Sequence, residues 1–492
     1  MALPDRAGVV TTPVLIVGAG PAGLTTAIAL ARAGVECLLV ERRTELSSLP
    51  RATSVSVRTM EILRAWGLEE EVRAGGPEVE WQMWECETLA DVAAGSAIDA
   101  GIPSRAASAL VSPTVAACVP QDHVEAVLLR HLRSLPTASV ELGTEVVAIE
   151  PDADGVDTTL RRAGGGLEGL RAGYVVGADG AHGVTRELLG IGAWDSGRLQ
   201  PGVTALFHAP LWEILGDHRY GLYTLTHPGA PGIFLPAGLP NRWIYGALPP
   251  EGCSTEDVTE ADMRRQIQIG SGVDDLDHRI EQVGRFSLTV SLAETFRRDR
   301  GFVVGDAAHR VTPRGGTGMN MAMQGAFNLG WKLAWVLNGW AGPGLLDTYE
   351  RERRPIVQHN IARSVDPAGS TREAATELQV DLGGRIPHVW AERAGGRRSV
   401  LDLLGAGLTL FTGDPAAWRQ AAAAVNGPPV TVEGIDPLAA RGLGAPDGSA
   451  LLVRPDGGVA AWVRAGEDPV PALRAAVPDR RSEWHSLNVT SA

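Results

Sequence analysis

Cysteine is scarce: Cys37, Cys86, Cys118 and Cys253 are the 4 in 492 residues, and no C-x-x-C pair occurs among them. This excludes a disulfide scaffold, a dithiol redox motif and a cysteine-rich zinc site, so no metal is expected. Positive charge is also short. The formal net charge is -14 and the pI about 5.3, which argues against a nucleic-acid partner, because that needs a basic face. Lysine is almost absent. The 44 Lys+Arg include one lysine, Lys332, a bias that codon usage in a GC-rich genome explains without chemistry. No apolar run reaches the ~18 residues of a membrane span. The first apolar run follows Asp5 and Arg6 and is broken by Gly18, Gly20 and Gly23, unlike a signal peptide, so the expected location is cytoplasmic. What remains is an ordinary globular composition, 44% hydrophobic and 21% charged, with 60 glycines. The length suits roughly three domains.

Val14-Leu15-Ile16-Val17 is a continuous apolar run, as a strand buried on both faces requires, and it ends at Gly18. Leu24, Ala27, Ile28 and Ala31 then recur at helical spacing, with Gly34 as the stop. Val35 to Val40 is a second strand, ending at Glu41, so the unit is a right-handed β-α-β. A helical pattern follows at Arg58–Trp66. Another helix begins at Gln121, where Asp122 and Glu125 have capping-box spacing. Val146–Ile149 and Tyr174–Val176 read as strands. Residues 200–290 change character. Short aromatic and β-branched runs (Tyr220–Thr226, Gly232–Leu235, Arg242–Gly246, Phe286–Val290) alternate with Pro and Gly and predict an antiparallel sheet of a second unit. Phe302–Asp306 returns to a buried strand. A long helix follows Pro313–Gly318, with Ala322, Ala326, Leu329, Leu333, Val336 and Leu337 as its buried stripe. Residues 365–385 break into polar, Gly-containing sequence. Ser399–Leu410 and Ser449–Val463 then predict the strands and turns of a separate C-terminal domain.

Gly18-Ala19-Gly20-Pro21-Ala22-Gly23 is G-x-G-x-x-G set between strand and helix. Gly18 permits the tight turn, Gly20 admits a pyrophosphate, and Gly23 lets the helix pack closely. Free N–H groups at the helix start favour phosphate. Glu41 stands where a carboxylate can accept bonds from a ribose diol. The unit predicts a dinucleotide without choosing between FAD and NAD. The second Gly cluster, Pro313-Arg314-Gly315-Gly316-Thr317-Gly318-Met319-Asn320, favours FAD. Asp306 at a strand end suits a ribityl hydroxyl. The N–H groups of Met319 and Asn320 suit an electron-rich carbonyl on a flavin ring. Two such sites far apart in the chain fit one long ligand better than two nucleotides. Tyr220, Tyr223, Trp243 and Tyr245 are the substrate-pocket candidates, with core packing the competing role for each. No catalytic base stands out, and His309 reads as part of the flavin-site loop.

These motifs resemble those of the group A FAD-dependent monooxygenases, the aromatic hydroxylases with a para-hydroxybenzoate-hydroxylase-like fold. The resemblance rests on the Gly-rich fingerprint with Glu41, on Gly177-Ala178-Asp179-Gly180, and on Gly305-Asp306-Ala307-Ala308-His309 with Pro313. It also rests on Arg51-Ala52 with Arg58-Thr59-Met60-Glu61, and on Gly315–Trp331. Pro387-His388 and Leu452–Gly457 resemble the thioredoxin-like appendage of bacterial aromatic-polyketide hydroxylases. The implied fold is α/β: a Rossmann-type FAD-binding domain (1–75, 105–185, 285–365), an interleaved mixed or antiparallel-sheet substrate domain (76–104, 186–284), and a thioredoxin-like C-terminal domain (380–492). The resemblance assigns Glu41 to the adenosine ribose, with Arg42 beside it, and Arg51 to the pyrophosphate. Gln121 falls to the adenosine half and Asp306 to the ribityl chain. Pro313 lines the flavin, and Gly318, Met319 and Asn320 hold it. Asp179 takes a structural or nicotinamide-cofactor role. Ala181-His182-Gly183, Ala322 and Gly325 depart from the usual family pattern.

The implied activity is antibiotic-type polyketide hydroxylation. FAD, reduced by transient NADPH or NADH, takes up O2 and attacks a phenolic, polycyclic aromatic substrate through a flavin C4a-hydroperoxide. Baeyer–Villiger oxygenation, or a non-catalytic flavoprotein sequestering a reactive intermediate, are the alternatives. Trp81-Gln82-Met83-Trp84 does not match a halogenase motif. The C-terminal domain has no cysteine, so an oligomerising or stabilising role, as in a homodimer, is expected in place of thiol exchange.

Overall fold

The computed structural model describes residues 10–424, 426–445, 448–464, 471 and 473. The apolar run becomes the strand Val10–Val17, the centre of an eight-stranded sheet. It pairs in parallel with Cys37–Glu41 on one side and Leu167–Gly177 on the other. Ala138–Leu142 extends the first side and Gly301–Val303 the second, both in parallel. The chain therefore leaves the central strand in opposite directions, and a crevice opens at the strands' carboxyl ends. Gly18 N–H donates to Val40 O at 2.7 Å, Ala178 N–H to Val17 O at 2.8 Å, and Val304 N–H to Gly177 O at 2.9 Å. Three motifs far apart in sequence thus meet at one edge.

Pro21–Arg32 and the long helix Gly318–Leu337 pack on this sheet and form one core with it. Val336 and Leu337, expected in the buried stripe, are only half-buried. The expected capping box is absent. The helix is Gln121–Arg133 and its N-cap is Pro120, with no side-chain cap. Asp122 thus falls inside the first turn and pairs with Arg242 at 2.7 Å instead.

A second eight-stranded sheet holds Glu80–Cys86, Ala193–His208, Tyr220–Leu225, Gly232–Pro236, Arg242–Ala247 and Arg279–Ala293. Its strands interleave in sequence with those of the first. Arg279–Ala293 runs past residue 284, where the substrate unit was expected to end. The helix Glu260–Ser271, started by the Thr259 capping box, covers one face and closes a second core.

Residues 365–385, where the sequence breaks into polar, Gly-containing stretches, contain the helix Ala374–Leu382. Beyond it a four-stranded sheet runs in the order Val430–Gly434, Leu408–Thr412, Ala450–Val453, Val459–Val463. A parallel β-α-β unit followed by an antiparallel hairpin gives the thioredoxin-type order. Leu408, Leu410 and Leu452 pack on Trp331 and Trp335 of the long helix. Among the described residues, no helix is long and apolar enough to cross a membrane, and no His, Cys, Asp and Glu cluster could hold a metal.

Candidate active site

The first Gly cluster has the shape that a pyrophosphate requires. Gly18 sits at φ +108°, and a Cβ there would lie 2.5 Å from Ala178 O. A Cβ on Gly23 would lie 1.9 Å from Gly18 O. Both positions exclude side chains. At Gly20, the N-cap of Pro21–Arg32, a Cβ would meet nothing within 4 Å, so this position faces the open crevice. Glu41 accepts from Ala19 N–H and Arg43 N–H, each at 2.9 Å. It closes the Gly-rich loop onto the second strand while staying half-exposed. Arg42, next in the chain, and Arg51 are exposed.

Gln121 donates to Glu125 at 2.7 Å, and its backbone N–H to Ala52 O at 2.8 Å. Glu125 is buried, and burial pushes its carboxyl up to about 7, against the Gln121 bond and the Arg51 charge. The sequence reading missed its electrostatic role. Asp306 lies in the turn Gly305–Ala307, open to the crevice but walled by protein. Desolvation raises its carboxyl above the usual range, opposed by the charges of Arg310, Arg51 and His182. Asp179 accepts from Thr185 N–H (2.9 Å) and Thr185 Oγ1 (2.8 Å), so one oxygen holds the chain after the Asp-Gly turn. Its other oxygen is buried with no partner among the described residues.

The second Gly cluster forms the mouth of the long helix. After Pro313, Gly315 and Gly316 take φ of +80° and +63°. The helix starts at Gly318 with Thr317 as N-cap, and no side chain caps it. The N–H groups of Met319 and Asn320 therefore have no side-chain cap among the described residues, as the first donors of an uncapped helix. Thr317 Oγ1 is buried without a partner among the described residues. The Asn320 side chain spans the loop: its amide donates to Ser54 O and Gly316 O at 2.9 Å, and its oxygen accepts from Ser56 N–H at 2.8 Å. Ser54, Ser56, Gly315, Asn320, Gln324 and Asp381 border a small cavity of about 50 Å³ beside this loop. Open space at Gly20, two positive-φ glycines and uncapped donors at a helix mouth together fit an extended dinucleotide ending in a polar ring.

The four aromatic pocket candidates are placed elsewhere. Tyr223, Trp243 and Tyr245 are fully buried in the second core, under Glu260–Ser271, and Tyr220 packs on Trp84 at 4.3 Å against that core. They are packing residues. Side chains alternate along a strand, so the other face of the sheet carries Leu222, Thr224, Ile233, Leu235 and Ile244, all half-exposed. Leu235 pairs with Ile244, and Thr224 with Ile233, so these side chains are neighbours. Arg242 shares their face and reaches Asp122 at 2.7 Å and Ser48 O at 2.8 Å. That face therefore turns toward the dinucleotide unit.

The chain matches the FAD binding domain family over residues 11–364 and the C-terminal domain of aromatic-ring hydroxylases over residues 379–480. It belongs to the FAD-dependent aromatic-ring hydroxylases. This hydroxylase is a flavin-dependent monooxygenase, and FAD is its cofactor. It is 34% identical to aklavinone 12-hydroxylase of Streptomyces purpurascens, over 91% of this chain and 94% of that protein. It is 33% identical to the tetracenomycin B2 monooxygenase-dioxygenase of Streptomyces olivaceus, over 94% and 97%. The ternary complex of aklavinone-11 hydroxylase with FAD and aklavinone superposes with a TM-score of 0.83 at 32% identity, over 96% of this chain and 99% of that chain.

Proposed function

We propose that this hydroxylase uses NADPH or NADH and O2 to add one oxygen atom to a phenolic, polycyclic aromatic polyketide. The observation that carries this reading is the aliphatic face of the second sheet. Leu222, Ile233, Leu235 and Ile244 make an aliphatic floor turned toward the FAD-binding unit, with Arg242 at its edge already paired to Asp122 and Glu281. A flat, neutral ring system suits such a floor, because binding it leaves no charge unpaired. The relatives named for aklavinone and tetracenomycin support the same substrate class.

In this reading Gly18, Gly20 and Gly23 with Glu41, Arg42, Arg51 and Gln121 hold the adenosine and pyrophosphate half of FAD. Asp306 holds the ribityl chain, and Pro313, Gly318, Met319 and Asn320 the ring. Bound FAD supplies the electron transfer and the activation of O2. The protein's own part is electrostatic and steric. The helix mouth at Met319 and Asn320 offers N–H groups to negative charge at the ring's polar edge. The aliphatic floor holds the substrate and excludes water.

The test is direct. Purified protein should carry yellow FAD, polycyclic phenols should accelerate its NAD(P)H oxidation, and mass spectrometry should find one added oxygen in the product. Protein that binds no FAD when supplied, or oxidation that no phenol accelerates, sinks this reading.

A further inference from the structure

The FAD binding domain match stops at residue 364, yet one carboxylate beyond it is tied through Ser56 to the flavin loop. Asp381 lies in the last turn of Ala374–Leu382. One of its oxygens accepts from Ser56 Oγ (2.7 Å) and Gln324 Nε2 (2.8 Å), and the other from Arg58 N–H (3.0 Å). The bonds continue inward. Ser56 N–H donates to the Asn320 oxygen at 2.8 Å, and Asn320 donates to Gly316 O at 2.9 Å. They also continue outward, since Arg58 Nη2 donates to Asp456 O, at 2.7 Å, in a turn of the C-terminal sheet. A short path of hydrogen bonds therefore runs from the C-terminal domain, through Asp381, to the backbone of the positive-φ Gly316.

We infer that Asp381 is a positioning residue for the flavin ring, supplied to the FAD site by the C-terminal segment. This rests on the reading of Gly315–Asn320 as the ring-holding loop. All three partners of Asp381 donate, so they fit a carboxylate and leave a neutral apolar replacement with three unmet donors. Ser56 and Gln324 would then turn to other acceptors, and Asn320 is the neighbour that Ser56 holds. The thioredoxin-type domain, with no cysteine of its own, would act on the chemistry by fixing this loop.

The experiment compares full-length Asp381→Ala, Asp381→Asn and Arg64→Gln with the wild type. Arg64 serves as the control. It lies in the helix Val57–Ala65, which Ser56 caps, and pairs with Asp402 of the C-terminal segment at 2.9 Å without touching Ser56 or Asn320. Three readouts apply: the FAD dissociation constant, the position and shape of the visible flavin band, and the share of NAD(P)H oxidation recovered as hydroxylated product. Losing hydrogen bonds to a charged group should weaken FAD binding about tenfold in Asp381→Ala. The flavin band should shift and the share of product should fall. Asp381→Asn keeps one acceptor and should lie between Asp381→Ala and wild type. Arg64→Gln should leave all three readouts unchanged even if its melting temperature drops. If Asp381→Ala does not fold, Asp381→Asn decides. Wild-type affinity and band in the folded Asp381 variants, or the same changes in Arg64→Gln, overturn the inference. Wild-type protein that takes up no FAD would overturn the functional reading beneath it.

Discussion

His309 and Glu125 titrate in overlapping windows with opposite effects on stability. Burial, and then the charge of Arg353, lower His309 from 6.5 to about 4. The unfolded chain thus binds the proton first as pH falls, and the folded state loses stability between pH 6.5 and 4. Burial raises Glu125 from 4.5 to about 7, so the folded state binds the proton more tightly and loses stability as pH rises between 4.5 and 7. Each term is worth on the order of 3 kcal/mol, and in the shared range they offset one another. His309→Asn should therefore give a FAD-saturated protein whose urea midpoint falls as pH rises from 4.5 to 7. Glu125→Gln should give one whose midpoint falls as pH drops from 6.5 to 4. Variants that both follow the wild-type profile would refute the pairing. Gly20 gives a different single-residue expectation. Its Cβ direction is open, so Gly20→Arg should keep the melting temperature of the FAD-free protein. It should lose flavin absorbance, because the side chain fills the pyrophosphate path. Flavin retained in this variant would misplace the site. The Gly-rich loop and Glu41 were legible in the sequence because their partners lie within one β-α-β unit. Glu125 was not, because its shift comes from burial that only the assembled crevice creates.

At the scale of elements, strands and helices were legible wherever an apolar period repeats. What the pattern left open was which face of a strand meets the crevice. Leu222 and Ile244 are as apolar as the core residues Tyr223 and Tyr245 beside them, so alternation alone cannot separate the core face from the floor. The large aromatic residues drew attention, and they belong to the core, where bulk fills volume. The linker helix was missed for another reason. Only Leu378 and Leu382 mark its apolar side, while its buried Glu377 is satisfied by Arg363 at 3.1 Å. A stripe that uses carboxylates does not look like a stripe; the paired Gly383-Gly384 after Leu382 was the available stop signal. The face assignment predicts a split between neighbours. Ile244→Trp should raise the substrate KM several-fold while leaving FAD binding and melting temperature near wild type. Tyr245→Ala should lower stability by about 3–5 kcal/mol through the cavity it leaves. An unchanged KM in Ile244→Trp would place the floor elsewhere.

At the scale of the whole molecule, two interleaved sheets and a third C-terminal sheet were legible, but not the joint between the third and the rest. That joint depends on charges that meet only in the folded chain. Lys332, the one lysine, is fully buried, and its ammonium donates to Glu352 at 2.8 Å and Asn328 at 2.9 Å. The chain's one lysine thus sits in a specific ion pair. Arg454 of the C-terminal sheet pairs with the same Glu352 at 2.9 Å and with Asp456 at 2.8 Å. Asp456 also accepts from Trp331 and Asn328, each at 3.2 Å. Burial lowers Lys332 to about 8, against the pull of Glu352. The adjoining cations hold Asp456 well below the usual carboxylate range despite its burial. Glu352 is the centre of this network, because two buried cations share it. Glu352→Gln should leave Lys332 and Arg454 facing each other with one negative partner, Asp456, between them. Removing one member of a buried ionic group costs about 3–5 kcal/mol. Lys332→Met should cost less, because Glu352 keeps Arg454 and the methionine fills the vacated volume. The loss falls on the contact between the C-terminal sheet and Gly318–Leu337, so calorimetry of Glu352→Gln should resolve a low-temperature transition that the wild type lacks. Limited proteolysis should cut first in residues 365–385. A single transition shifted as a whole, with no early cleavage there, would mean that the apolar contact of Leu408, Leu410 and Leu452 with Trp331 and Trp335 is enough to keep the two parts unfolding together.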